Sequence, residues 1–398
     1  MHINAILRMG IRLVFKIFPI KNRILITTYC GMQKADSPIQ IYKYMKSTYP
    51  DIDIVFLWNR NKKNPVFSKF YTLKFLFYKA TSKIIVDNMF ADNVVSVNKN
   101  RSQKEAGILG FLNGRPGQKY VTTWHGTPLK RIERDKVGST TTDCIINKPM
   151  YLILGNTFTA NILNHVFFDK AQVKLFGSPR NDILINRSEK DIKKCKKKLR
   201  LPLDKKIVLY APTFRSNADQ SKNYIEPSGI EQMGLICFDK LFHILKEKFG
   251  GEWVLVCRFH YLVADRVNWE QLEADYPAQF VNGNQHEDIA EYLLCSDILI
   301  TDYSSCMFDY AILNRPIFLF CHDLEYYSSK ERGFYINVEA LPFLVAEDFG
   351  ELCNNIASFN RDLYCEKLEE LKSQMGYCEK GDAAKKAGDF IYRLLKDD

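Results

Sequence analysis

The sequence predicts an α/β protein built from two doubly wound, Rossmann-like domains facing a cleft. Three observations lead there. The chain has 398 residues, too many for one compact core and suited to two. Short β-branched runs alternate with segments of helical spacing in both halves, the pattern of parallel sheets wrapped by helices. A charged stretch with a proline after its helical part, 187–206, separates the two series. The expected organisation is a surface segment 1–20, a first domain 21–190, a second domain 200–375 and a C-terminal helix 376–398.

The opening "MHINAILRMGIRLVFKIFPIKNR" places Arg8, Arg12 and Lys16 on one helical face and Leu7, Ile11, Val14, Phe15 and Phe18 on the other. Such a helix suits an anionic membrane surface, each basic residue adding about 1 kcal/mol of attraction. It also suits packing on the protein's own core. The run is too short and too charged to span a bilayer, and no small-residue cleavage site follows it. Net charge supports the membrane reading. Residues 1–80 hold 14 Lys and Arg against 3 Asp, so all of the +10 excess sits near the amino end. A nucleic-acid binder would share that excess, but no zinc-finger, RNP-like or basic-helix motif accompanies it.

The first series begins with "RILITTYCG" (23–31), an apolar run ending at glycine that reads as a strand. "IQIYKYMKSTYP" (39–50) has helical spacing and stops at proline; "DIVFLWN" (53–59) is a second strand. The aromatic and basic run 65–82 reads as a core helix, "KIIVDNM" (83–89) as a third strand and "KYVTTWHG" (119–126) as a fourth. "YLILGNT" (151–157) and "QVKLFGSPRND" (172–182) add two more strand-to-loop units. The lysine run after 187 reads as a solvated helix face. The second series runs through "KIVLYAPTFR" (206–215), "EWVLVCRFH" (252–260), "DILITDYSS" (297–305) and "RPIFLF" (315–320), with helical segments at 237–250, 286–295 and 306–314. Eleven cysteines lie singly, without a C-x-x-C pair or metal-ligand spacing, and read as reduced thiols. Cys257, Cys295, Cys306 and Cys321 fall in apolar runs and read as small core residues.

Ligands of parallel α/β sheets gather beyond the carboxyl ends of strands. Four distinctive groups fall there: His125, Arg215, His260 with Arg258 on the same strand face, and the stretch from Asp302 to Ser305. Ser304 and Ser305, at a helix start, offer hydroxyls and backbone N–H groups to phosphate oxygens, though a serine there more often caps its own helix. Asp302 is placed to hold the turn by accepting backbone N–H groups. Arg215 carries a guanidinium fork suited to phosphate. In "TTWHGTPLKRIERD", Gly126 permits a sharp turn, Thr127 is a good N-cap and Pro128 suits a first helical position. A helix is therefore expected here, bearing Lys130, Arg131 and Arg134. His125, beside that anion-attracting start, has the pKa range of a general base.

Together "TWHGTPLKRIERD", "GSPRND", "YAPTFR", "ITDYSSCMFDYAILNRPIFLF" and "ERGFY" resemble the CDP-glycerol glycerophosphotransferase family of teichoic-acid and capsule synthesis, over residues 20–375. The resemblance implies a GT-B fold and attachment to the cytoplasmic membrane face. It implies an acceptor held mainly by the amino-terminal domain, with Gly126, Thr127, Lys130 and Arg131, and a CDP-alcohol donor held by the other. His125 matches the family's proposed base, His260 its donor-phosphate histidine, and Asp135 the acidic residue that orients the base. Arg215, Ser304, Ser305, Asp302, Arg332 and Arg258 fall on the donor side. Ser178 departs from the pattern, since relatives often have tyrosine there. The expected reaction passes glycerol phosphate from CDP-glycerol to a hydroxyl of a membrane-linked glycan or polyol-phosphate acceptor, with CMP leaving. No cofactor and no obligatory metal are expected, Mg²⁺ being at most accessory; no nucleic-acid partner is expected. CDP-ribitol transfer, nucleotide-sugar transfer and a non-catalytic module that binds anionic polymers at the membrane surface are the rival readings.

Overall fold

In a computed structural model, the chain divides into two compact units: Met1–His125, Ile132–Ile185 and Met375–Asp398 form the first, Gly126–Arg131 and Asn186–Gln374 the second. The structure describes residues 10–11, 13–58, 73–90, 93–146, 148–213, 215–217, 226–228, 234–260, 264, 267–277, 279–328 and 333–397. Arg8, Arg12, Leu7 and Arg332 lie outside these residues.

The first unit is built on β1 (Lys21–Thr27), β2 (Asp53–Leu57), β3 (Ser82–Asp87), β5 (Lys119–Thr122), β7 (Met150–Leu154) and β8 (Gln172–Leu175). They form one parallel sheet in the order β2-β1-β3-β5-β7-β8. A short antiparallel pair, β4 (Val95–Val97) with β6 (Asp143–Ile145), stands beside the helix Gln103–Asn113. Side chains alternate across β1, as the strand period requires. Ile24 and Ile26 enter one core layer with Ile84, Val86, Val121 and Ile153, while Leu25 meets Phe75 and Leu76 on the other face.

The helix Ala383–Lys396 belongs to this first core, although sequence order placed it after the second domain. Its Ala387, Ile391, Leu394 and Leu395 pack with Ile41 and Met45 of the helix Asp36–Thr48. The crossing is tight, because a Cβ at Gly388 would come 2.5 Å from the Tyr44 ring. Tyr44 and Tyr49 both donate to Asp389 Oδ1, at 2.7 and 2.8 Å, and Tyr49 stacks on Tyr392 with centroids 4.1 Å apart.

The second unit contains β9 (Lys206–Ala211), β12 (Trp253–Cys257), β13 (Phe280–Asn282), β14 (Ile298–Thr301), β15 (Ile317–Phe320) and β16 (Leu344–Ala346), all parallel, in the order β13-β12-β9-β14-β15-β16. Counted within the unit, that order is three-two-one-four-five-six, the Rossmann arrangement. A further antiparallel pair joins β10 (Arg215–Asn217) and β11 (Glu226–Ser228). The lysine-rich helix Glu189–Lys198 belongs to this unit, with Cys195 and Lys196 buried. A capping box of Ser188 and Asp191 starts it. Cys257, Cys295, Cys306 and Cys321 are buried free thiols, as their apolar runs predict.

Near the amino end, residues 10–11 and 13–15 are helical. Ile11 and Phe15 pack against the Leu25–Phe75–Leu76 cluster, and Phe15 and Phe18 each meet Phe77 edge-on at 5.6 Å. Leu13, Val14, Ile17 and Phe18 nevertheless stay exposed, as does Leu73 of the helix Leu73–Thr81. No helix among the described residues is long and apolar enough to cross a membrane.

Candidate active site

Each sheet reverses its strand order once: the first between β1 and β3, the second between β9 and β14. Such switch points open a crevice at the carboxyl ends of their strands. The candidate residues lie just past strand ends, His125 after β5 and Asn88 after β3 in the first unit, His260 after β12 and Asp302 after β14 in the second.

In the first unit, Thr123 N donates to Asp87 O (3.0 Å) and prolongs the pairing of β5 with β3. The chain then breaks at Trp124, which adopts a left-handed conformation (φ 53°) rare for a bulky residue. Its buried indole stacks on Phe90 at 4.8 Å and lies 4.2 Å from the His125 ring, centroid to centroid. His125 itself is half-buried, its Nδ1 3.0 Å from the main-chain oxygen of Asn88, just past β3. A carbonyl only accepts, so Nδ1 carries the proton and the lone pair of the neutral ring is on Nε2.

Around Asn88 lies a buried polar cluster that the sequence reading did not single out. Asn88 Oδ1 accepts from Tyr29 N (2.7 Å), and its Nδ2 donates to Asp36 Oδ2 (3.0 Å). Tyr29 OH donates to the same oxygen at 2.6 Å, and Arg180 Nη1 stands 3.6 Å from Asp36 Oδ1. Burial pushes the Asp36 carboxyl up, but Arg180 and the bonds from Tyr29, Ser37 and Asn88 outweigh it and hold the group below the usual value. Arg180 comes from "GSPRND". The next turn of that loop is tied down by Glu379, which accepts from Ser178 N (2.9 Å) and Asn181 Nδ2 (3.1 Å). The available signal was positional: Tyr29 follows β1 and Asn88 follows β3, the strands flanking the switch point.

Asp135 has His165 for its partner, with Oδ1 3.0 Å from Nε2. Asp135 is the residue that the family resemblance offers to His125.

The segment after His125 corrects a second expectation. No helix begins at Thr127. Residues 127–132 carry no helical turn, and Lys130 pairs antiparallel with Phe334. Tyr335 N donates to Leu129 O (2.8 Å) and Arg131 N to Gly333 O (3.1 Å). These tertiary backbone bonds prevail over the local signals of an N-cap threonine and a first-turn proline, which are weak by comparison. In consequence Gly126, Thr127, Lys130 and Arg131, expected with the acceptor-binding domain, are seated on the second unit. Arg131 is exposed, with Nε 3.3 Å from Phe334 O.

That seating brings two motifs together. A Cβ on Gly126 would fall 2.4 Å from Ser305 Oγ and 2.9 Å from its Cβ, so only glycine fits against "DYSS". Ser305 occupies the N-cap position of the helix Cys306–Tyr310 but makes no side-chain cap, and Ser304 Oγ reaches Cys306 N only at 3.5 Å. Asp302 is fully buried and accepts from Thr213 N (2.8 Å) and Tyr303 N (2.6 Å). It locks the loop after β9 to the loop after β14, the turn-holding role its position predicts.

His260 ends the stretch that leaves β12. Its ring reaches solvent, yet burial among its neighbours and then the charge of Lys130 pull its pKa down to about 4. The ring is therefore neutral at pH 7 and offers one N–H. Arg258 does not present its fork to a ligand as expected. Nη1 donates to Gly283 O and His286 O and Nη2 to Glu287 O, all at 2.7 Å, so it ties the 283–287 loop to β12. Arg215 opens β10, and its side chain, like Arg332 altogether, lies outside the described residues.

The model of the family described as CDP-Glycerol:Poly(glycerophosphate) glycerophosphotransferase matches residues 11–393. The chain belongs to this family. Among its relatives, the teichoic acid poly(glycerol phosphate) polymerase of Bacillus spizizenii is 32% identical over 405 residues, covering 94% of each chain. The polymerase of the same description from Staphylococcus epidermidis is 31% identical over 396 residues; this chain spans 51% of its length. A solved histidine-to-alanine variant of the wall teichoic acid polymerase TagF superposes with a TM-score of 0.76 at 27% identity, over 98% of this chain and 94% of that one. The same polymerase soaked with CDPG gives the same score.

Proposed function

We propose that this glycerophosphotransferase moves glycerol phosphate from CDP-glycerol to a hydroxyl of a membrane-linked glycan or polyol-phosphate acceptor in teichoic-acid or capsule synthesis. The observation that carries the reading is His125, whose Nδ1 is given to the Asn88 carbonyl at the end of β3. That leaves Nε2 basic at the family's histidine. In the reaction the acceptor oxygen bonds to the phosphorus bearing glycerol, and the bond from that phosphorus to the bridging oxygen of CMP breaks. CMP leaves with the electron pair, and the acceptor proton passes to His125 Nε2.

Donor oxygens are met by the second unit. The neutral His260 donates one hydrogen bond, Ser304 and Ser305 offer hydroxyls, and Lys130 supplies positive charge as negative charge moves onto CMP. Arg215 and Arg332 join them by family resemblance. Asp302 and Gly126 shape this site without touching the substrate. Catalysis of this kind rests on positioning and electrostatics and needs no resident metal.

The protein works as a peripheral protein at the cytoplasmic membrane face, held by the exposed Leu13, Val14, Ile17, Phe18 and Leu73 with the basic residues around them. Purified protein offered CDP-glycerol, CDP-ribitol or a UDP-sugar with a lipid-linked acceptor is expected to release CMP from CDP-glycerol, equally well in EDTA. His125→Ala is expected to slow that release by about 10²- to 10⁴-fold. Polymer binding without CMP release from either CDP-alcohol would instead identify a non-catalytic module.

A further inference from the structure

We propose that Asn88 and Asp36 are positioning residues for His125, setting its tautomer and ring orientation through the Asn88 main chain. The proposal rests on the reading of His125 as the base. One hold on the imidazole is a peptide oxygen 3.0 Å from Nδ1, beside the Trp124 ring at 4.2 Å. Where that oxygen points depends on the Asn88 peptide, and the peptide is held by the residue's own side chain. Oδ1 is engaged by Tyr29 N at 2.7 Å and Nδ2 by Asp36 at 3.0 Å, so both ends of a fully buried amide are committed. Asp36 is held in turn by the Tyr29 hydroxyl at 2.6 Å and by Arg180, itself buried. Ser37 Oγ accepts from Arg180 N at 3.2 Å, closing the cluster on the "GSPRND" loop.

Packing alone does not account for this arrangement. A buried ion pair is weak evidence for stability, since apolar residues of similar volume would usually serve as well. The backbone is also strained around it. Tyr29 (φ 42°), Cys30 (φ 57°), Asp36 (φ 68°) and Trp124 (φ 53°) are all left-handed, and each borders the cluster or His125. Such strain persists where the surroundings over-determine it and collects at functional sites. The polar chain runs in one direction, from a charge-paired carboxylate through an amide to the imidazole.

The test joins kinetics to a tautomer measurement. With CDP-glycerol as donor, Asn88→Ala is expected to lower kcat about 10- to 100-fold with KM changed less than about twofold. The milder Tyr29→Phe is expected to lower kcat by about two- to fivefold. In the H125A background Asn88→Ala is expected to cost nothing further, whereas an independent structural defect would lower the residual rate again. Long-range ¹H–¹⁵N spectra of histidine-labelled wild-type protein are expected to show His125 protonated on Nδ1. A wild-type ring protonated on Nε2 overturns the proposal outright. So does a wild-type kcat in both variants while H125A is inactive, a result that leaves the base reading standing. Full activity in H125A removes the base reading and this proposal with it. If Asn88→Ala fails to fold, the wild-type tautomer and Tyr29→Phe decide.

Discussion

A methyl group at position 126 would need the space now filled by the Ser305 side chain, 2.4 Å away. Gly126→Ala must therefore push Ser305 aside or lift the 126–131 segment, and overpacking of this kind costs about 1–3 kcal/mol. The expected outcome is a loss of CMP release of at least about tenfold with only a modest fall in Tm; wild-type turnover would show that the contact is not needed. Asp87 offers a second experiment. Burial lifts its carboxyl to about 7, against partial lowering by the Tyr120 hydrogen bond and by Lys79 and Lys148. The folded state holds that proton more tightly than the unfolded chain does. Its stabilisation is thus complete below the unfolded value of 3.8 and fades as pH rises through about 7. Asp87→Asn, uncharged throughout, should gain in Tm relative to wild type as pH rises from about 4 to about 7, and parallel Tm curves would refute this. At this scale the sequence put His125 and His260 just past strand ends, where the structure has them. It concealed Asp36, Asn88 and Arg180, whose significance lies in which loops meet. It misjudged Arg258, because nothing in "CRFHYL" shows that three carbonyl oxygens of a distant loop await its guanidinium.

Single elements were readable where their signal was periodic. The strands at 21–27, 82–87 and 298–301 lie where alternating or continuous apolar runs put them. The expected helix at 127–134 failed because cap residues contribute about 1 kcal/mol, less than the edge pairing with 333–335 supplies. The pairs β4–β6 and β10–β11 were invisible for a related reason, being three residues per strand and defined by their partners alone. The helical residues 10–11 and 13–15 bear out the packing reading, and the membrane reading rests on the side chains they leave outside. Ile11 and Phe15 cover the protein's own core while Leu13, Val14, Ile17 and Phe18 remain outside. Replacing Val14 and Ile17 by Ser should therefore spare the fold and weaken co-sedimentation with vesicles containing anionic lipid. Unchanged sedimentation would assign the patch another role.

For the molecule as a whole, strand–helix alternation was enough to predict two doubly wound units. What it missed was the return of the helix Ala383–Lys396 to the first of them. An amphipathic helix announces that it has a core to cover but not which one, and the sequence reading set it apart as a C-terminal helix without assigning it to either core. The energetic stake is large. Ile391, Leu394 and Leu395 are buried core residues, and removing one such side chain costs about 2–5 kcal/mol. A chain truncated after Gln374 should lose the first unit's cooperative melting while the second unit's remains. Two unaltered transitions in the calorimeter would contradict this.

The same return path bears on biosynthesis. Domains are generally completed in the order they leave the ribosome, but here the amino-terminal sheet must wait for its last helix until residues 383–396 have been made. The carboxyl-terminal half, whose own strands close at 346, can finish earlier. A nascent chain would then carry an unfinished, apolar first half beside a finished second one. Chaperone engagement should track the synthesis of residues 383–396.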